Sequence, residues 1–238
     1  GIRIDHVLGL FRLWWIPRGM PANLGTYVRY DHEALIGILA LEAQRAGAVV
    51  IGEDLGTVEA WVQDVLRERG ILGTSILWFE ADEHGEPLHP EHWRELALTS
   101  VTTHDLPPTW AFIEGEHVRL RHELGLLATS YEEELEAAQR DLAAWVGLLQ
   151  ARGLLRQGAG ADEVVEALHR LIAQTPARLL CISLADAVGD KRAQNQPGTD
   201  QEYPNWRVPL TDGAGDPVLV DDLPGNALLR RMVAAITG

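Results

Sequence analysis

Apolar and polar positions along the chain follow two periods, and the switches between them predict the elements. Residues 1–6 form a short extended stretch that ends in polar side chains. Residues 33–46 are apolar nearly all round with few breakers, which predicts a buried helix capped by Asp31. Residues 48–52, β-branched and apolar after Gly47, have the pattern of a parallel strand covered on both faces. Val58, Trp61, Val62, Val65 and Leu66 share one helical face behind a cap at Thr57, and Gly70 stands where a helix-ending glycine belongs. Further buried strands are predicted at 75–79, 98–103 and 179–185. Helices are predicted near 116–127, from a Ser130/Glu133 capping box to about Arg152, and then over 162–173 and 224–236. Residues 195–217, rich in Gly, Pro and Asn, read as loop. Strands alternating with helices predict an α/β fold with a parallel sheet, read here as one domain over 1–238.

Composition narrows the partners. Lys and Arg number 20 against 35 Asp and Glu, a formal charge of −15. Such a surface repels phosphates and anionic lipid, so nucleic acid and membrane are not expected partners, and no apolar run approaches the roughly 18 residues of a membrane span. A lone Cys181 removes disulfide frameworks and Cys-rich zinc sites and fits a cytoplasmic location. Eight tryptophans outnumber Tyr and Phe together. Each offers a flat apolar face suited to core packing or to stacking on a sugar ring.

In a parallel α/β architecture, functional groups gather just past the C-terminal ends of strands. Those positions hold Arg3, Asp5 and His6, then Glu53 and Asp54, then Glu80, then His104 and Asp105, and finally Asp186. Taken singly, these acids read better as structural: Asp5 or Asp105 as a helix cap, Glu53 and Asp54 as a solvated first-turn pair. Several carboxylates at successive strand ends, with no metal-ligating spacing and no cofactor loop, fit glycosidic bond chemistry. One acid protonates the departing sugar oxygen while another, ionised and roughly 5–5.5 Å away in a retaining site, takes the anomeric carbon. His89 and His92 flank Pro90 without a third ligand, Gly213 and Gly215 lack a strand–helix context, and Glu132–Glu134 fit a first helical turn.

The segments Gly1–Asp5, Gly52–Gly56 and Thr103–Asp105 resemble the later signature regions of the α-amylase superfamily. Together with His6, the stretch Asn195–Thr199 and Tyr203–Arg207, they resemble the bacterial 4-α-glucanotransferases of the amylomaltase family, as do residues 9–17 and 25–34. The resemblance runs end to end. It implies the C-terminal part, about strands four to eight, of a (β/α)8 barrel with helical insertions, so that the natural N-terminus and the first strands would lie outside this chain. It also implies a retaining double displacement. Asp5 would be the nucleophile, Glu53 the general acid and base, and Asp105 the stabiliser of the transition state. Arg3 would orient Asp5 and hold it ionised. His6, His104, Asn195 and Gly198 would border the bound sugar.

The expected partner is a maltooligosaccharide or α-glucan, with self-association through unpaired strand edges as a further expectation. Trp14, Trp15 and Trp78 are candidates for an apolar wall that favours an acceptor sugar over water, each with an equal claim to the core. The Asn195–Thr199 loop and Trp206 follow the last predicted strand and so stand where they can border the site, with a turn anchored by one buried Trp as the alternative. Two alternatives remain at this level. One is a glycoside hydrolase with the same acids, disfavoured by Gly9 standing where many amylases carry His. The other is a catalytically silent glucan-binding fragment.

Overall fold

A computed structural model describes residues 1–237. The elements in chain order are β1 (Ile2–Ile4), β2 (Arg12–Trp15), β3 (Thr26–Arg29), α1 (His32–Ala46), β4 (Val50–Gly52), α2 (Ala60–Glu68), β5 (Gly73–Ile76) and β6 (Ala97–Ser100). They continue with α3 (Thr109–Glu114), α4 (Glu116–Glu123), α5 (Tyr131–Ala151), α6 (Ala161–Ile172), β7 (Leu179–Cys181), α7 (Leu184–Val188) and α8 (Ala227–Thr237). The chain folds as two compact units. The first comprises Gly1–Ser75, Arg94–Leu98 and Ala177–Leu179; the second comprises Ile76–Trp93, Thr99–Pro176 and the chain from Leu180 on. Strands β5, β6 and β7 are neighbours in that order, and the division between units falls within each of them.

In the first unit β1 lies parallel to β4, with Ile2 opposite Val50 and Ile4 opposite Gly52, and a parallel bridge joins Ile51 to Leu72. Asp31 caps α1 by accepting the Ala34 N–H at 3.1 Å, and Gly47 ends the helix at φ 59°. The expectation of a wholly buried α1 is corrected. Ile36 is buried and Leu39 and Ala43 pack partly beneath it, whereas Ile38 is 61% exposed. One helical stripe faces the core of Val7, Phe11, Val50, Val62, Leu66 and Ile71, and the other apolar positions face outward. Thr57 is not a cap, because α2 starts later, behind Glu59.

The antiparallel hairpin β2–β3, with Trp14 opposite Tyr27, escapes the pattern reading because its long connection carries no tight-turn signal. Trp14 and Trp15 are exposed on it, their indole N–H groups donating to Ala22 O and the Tyr30 hydroxyl at 2.9 and 2.8 Å.

The second unit is mostly helical. Ser130 Oγ accepts the Glu133 N–H at 3.2 Å while Glu133 accepts the Ser130 N–H at 3.0 Å, the reciprocal box that opens α5. Its Trp145 and Leu149 join Leu77, Trp93, Val101, Leu168, Leu171 and Ile172 in the main core. Trp78 takes the core role, stacked on Phe112 at 4.0 Å and 11°.

Two strand predictions shorten here. Residues 77–79 form a 3-10 turn instead of continuing β5, so Glu80 follows a turn and not a strand end. Only Leu179–Cys181 of the fifth run is extended, with both end residues exposed, and the Ala- and Leu-rich residues beyond it become α7. Helix α3, just before the predicted 116–127 helix, is a further addition.

Leu168 lies on α6 with no exposed surface. Leu168→Ala should lower unfolding free energy by about 2–5 kcal/mol, seen as a lower denaturant midpoint at unchanged slope.

Candidate active site

The parallel register of β1 and β4 brings the residues that follow them side by side. The ladder runs on past the strands, with Glu53 N–H donating to Ile4 O at 2.8 Å and Val7 N–H to Glu53 O at 3.0 Å. Glu53 is nearly buried, and its two carboxylate oxygens accept the N–H groups of His6 and Leu55 at 2.8 and 2.7 Å. His6 holds φ 48°, in the left-handed region that histidine enters more readily than most residues. Its ring stands 3.5 Å from Glu53 and 3.7 Å from Asp5. Asp5 is half exposed and receives Arg3 Nη1 at 2.6 Å. An ion pair so open to water adds little stability, and its consequence is orientation of the carboxylate. Gly52 admits no side chain, because a Cβ there would sit 2.9 Å from Val7 Cγ1. Arg3, Asp5, His6 and Glu53 are thus gathered at one strand end.

Asp54, next in sequence, does different work. It is buried, not a solvated helix-turn acid, and it accepts Arg94 Nη1 at 2.6 Å and the Thr74 N–H at 2.9 Å. Arg94 also bonds Thr74 O. This clamp leaves no room at Gly73, where a Cβ would lie 2.5 Å from Arg94 Nη1 and 2.9 Å from Asp54 Oδ2. Nothing in the sequence pairs Arg94 with Asp54.

The second unit holds the other candidates. His104 Nε2 lies 3.2 Å from Asp105 Oδ2, and Asn195 Nδ2 donates to Asp105 Oδ1 at 2.6 Å. Gly198 takes φ 88° in the turn that Thr199 closes on Gln196 O at 3.3 Å, so it shapes the loop carrying Asn195. Of the two readings of Trp206, the buried anchor is ruled out. The residue is 64% exposed, holds φ 62°, and rests its ring on His104 with centroids 5.1 Å apart.

Asp186 is removed from the list of strand-end functional acids. It sits in α7, fully buried, and accepts the Thr109 N–H and hydroxyl, each at 2.6 Å, thereby fixing the start of α3. Burial pushes its carboxyl above the ordinary value, opposed by nearby His169 and by the Thr109 bonds. Among the described residues no group of three or more His, Cys, Asp or Glu is placed to hold a metal, and no helix is long and apolar enough to cross a membrane.

A profile described as 4-alpha-glucanotransferase matches residues 1–214, and the chain belongs to that family. It is 62% identical over 228 residues to the 4-alpha-glucanotransferase of Mycobacterium tuberculosis, covering 93% of this chain and 32% of the relative. The Haemophilus influenzae 4-alpha-glucanotransferase is 35% identical over 214 residues, 86% of this chain and 30% of the relative. The chain therefore spans about a third of the length of these curated relatives.

Among solved structures, amylomaltase from Corynebacterium glutamicum superposes with a TM-score of 0.94 at 50% identity, over 98% of this chain and 35% of that one. Amylomaltase from Streptococcus agalactiae in complex with acarbose gives 0.63 at 20% identity, over 99% and 40%, a likeness of fold.

Two outcomes follow from these geometries. Arg94→Met leaves the Asp54 carboxylate buried without its cation, and should cost about 3 kcal/mol in a denaturant titration. For Asp186, a folded-state pKa above the unfolded one means the native state binds the proton more tightly. Its contribution is then full below the ordinary carboxylate range and is lost as pH rises through the raised value. Asp186→Asn should accordingly gain stability relative to the parent as pH climbs from the ordinary carboxylate range toward neutrality. A parent–variant difference flat across pH contradicts the assignment.

Proposed function

We propose that this chain carries the catalytic carboxylates of a 4-α-glucanotransferase that moves α-1,4-glucan segments between maltooligosaccharides. The observation that carries the reading is the cluster at the ends of β1 and β4, where His6 contacts both Glu53 and the Arg3-oriented Asp5. In this mechanism the Asp5 carboxylate attacks the anomeric carbon while Glu53 gives its proton to the departing glycosidic oxygen, leaving a glycosyl ester on Asp5. Glu53 then takes the proton from an acceptor 4-hydroxyl, whose oxygen displaces Asp5 and restores both carboxyls. Asp105, with His104 and Asn195, holds sugar hydroxyls as positive charge develops on the ring. The net charge of −15 is compatible with a neutral glucan, which needs no basic surface.

The same proposal includes the finer fold: the strands belong to a sector, about strands four to eight, of a (β/α)8 barrel. The parallel β1–β4 pair, the parallel bridge from Ile51 to Leu72 and the β5-β6-β7 order support it. On this reading residues 1–238 serve one partial catalytic domain, and the enzyme works in the cytoplasm.

The test is product analysis on the full-length protein that contains this segment. Maltotriose should yield glucose together with glucans longer than the substrate; glucose and maltose alone would identify a hydrolase. Asp5→Asn should abolish transfer with the fold intact, and Glu53→Gln should slow it by about 10²–10⁴-fold. Turnover retained by Asp5→Asn would overturn the role given to that residue.

A further inference from the structure

The geometry points to Trp206 as a stacking platform for a pyranose ring of the glucan, a binding residue beside the His104–Asp105 pair. Three observations meet there. The first is the backbone: φ 62° puts a bulky residue in the left-handed region, where glycine is at ease and tryptophan is strained.

The second is the bracing that maintains this turn. Trp206 N–H donates to Gln194 O at 2.9 Å, Asn205 accepts the Gln196 N–H at 2.8 Å and donates to Thr199 Oγ1 at 2.8 Å, and the Tyr203 hydroxyl donates to Ala193 O at 2.6 Å. Residues 193–206 are thereby cross-linked into a rigid clip.

The third is what the strain achieves. Trp206 is 64% exposed, more than Trp15 at 55% or Trp14 at 44%, and its ring is tilted 44° against His104. His104 in turn contacts Asp105 at 3.2 Å. Strain that holds an apolar ring out of the core, next to a polar pair, is not explained by packing. It suits a ligand with an apolar C–H face and a hydroxyl rim: the sugar face lies on the indole while its hydroxyls reach His104 and Asp105.

This inference rests on the glucan-transfer reading, and the experiment separates the two. Trp206→Gly removes the ring and places at φ 62° the residue that suits it, so the full-length variant should melt no lower than the parent. Titration calorimetry with maltoheptaose, run with and without Trp206→Gly in the Asp5→Asn background so that the ligand is not consumed, should show about tenfold weaker binding, with KM for maltotriose raised correspondingly and kcat little changed when Asp5 is present. Trp206→Phe should recover most of the affinity.

Unchanged maltoheptaose affinity in Trp206→Gly overturns the platform. A drop in melting temperature with unchanged binding does the same and makes the ring a packing element. A fall in kcat alone also overturns it, as action through His104. If the parent binds maltoheptaose and loses affinity in Trp206→Gly yet transfers nothing from maltotriose, the platform stands and the transfer reading falls. A parent that binds no glucan overturns both.

Discussion

The carboxylate of Glu53 is held, nearly buried, by the main-chain N–H groups of His6 and Leu55, and the surrounding structure is arranged so that this can happen. A Glu side chain has three rotatable bonds, and two backbone donors remove most of that freedom. Backbone donors move only if the chain moves. The left-handed turn at His6 aims one of them, the parallel β1–β4 register delivers it, and the side-chain-free surface of Gly52 lets Val7 pack against the strand end. Asp5 enters the same cluster through His6, while Arg3 limits its swing from the other side.

Neighbouring acids of one chemical type have separate roles because their partners differ. Glu53 and Asp54 are adjacent, and successive side chains leave an extended chain on opposite sides. One side leads to His6 and Asp5, the other to Arg94 and Thr74. A comparable contrast separates Asp105, partly exposed and met by Asn195 and His104, from Asp186, fully buried beneath Thr109. Asp105 keeps access to water, whereas Asp186, sealed from it, has both oxygens engaged by Thr109.

The α/β order, the Asp31 cap and the Ser130 box were legible in the sequence because each depends on residues a few positions apart. The acids gathered at β1 and β4 were legible for a related reason: strand ends in a parallel sheet share one side. What stayed hidden depends on distant partners. Helix α1 is apolar nearly all round, so its packing selects Ile36 over Ile38 as the inward residue. Residues 182–185 look like a continuation of the strand until Asp186 is seen engaging Thr109, 77 positions earlier, from a helix that starts at Leu184. The sequence leaves Trp206 open between a site border and a buried anchor, because nothing local signals a left-handed tryptophan. Its conformation is imposed by bonds to Gln194, Gln196 and Thr199 through its own loop.

The clamp at Gly73 has an evolutionary consequence. A side chain at 73 would meet the Arg94 guanidinium and the Asp54 carboxylate at once, so a substitution at any one of the three changes what the other two tolerate. Drift at these positions is expected to be concerted or absent, and they form a small epistatic unit beneath the strand end that carries Glu53. Its three members lie far apart along the chain, so an interaction invisible in one sequence would emerge as covariation across many.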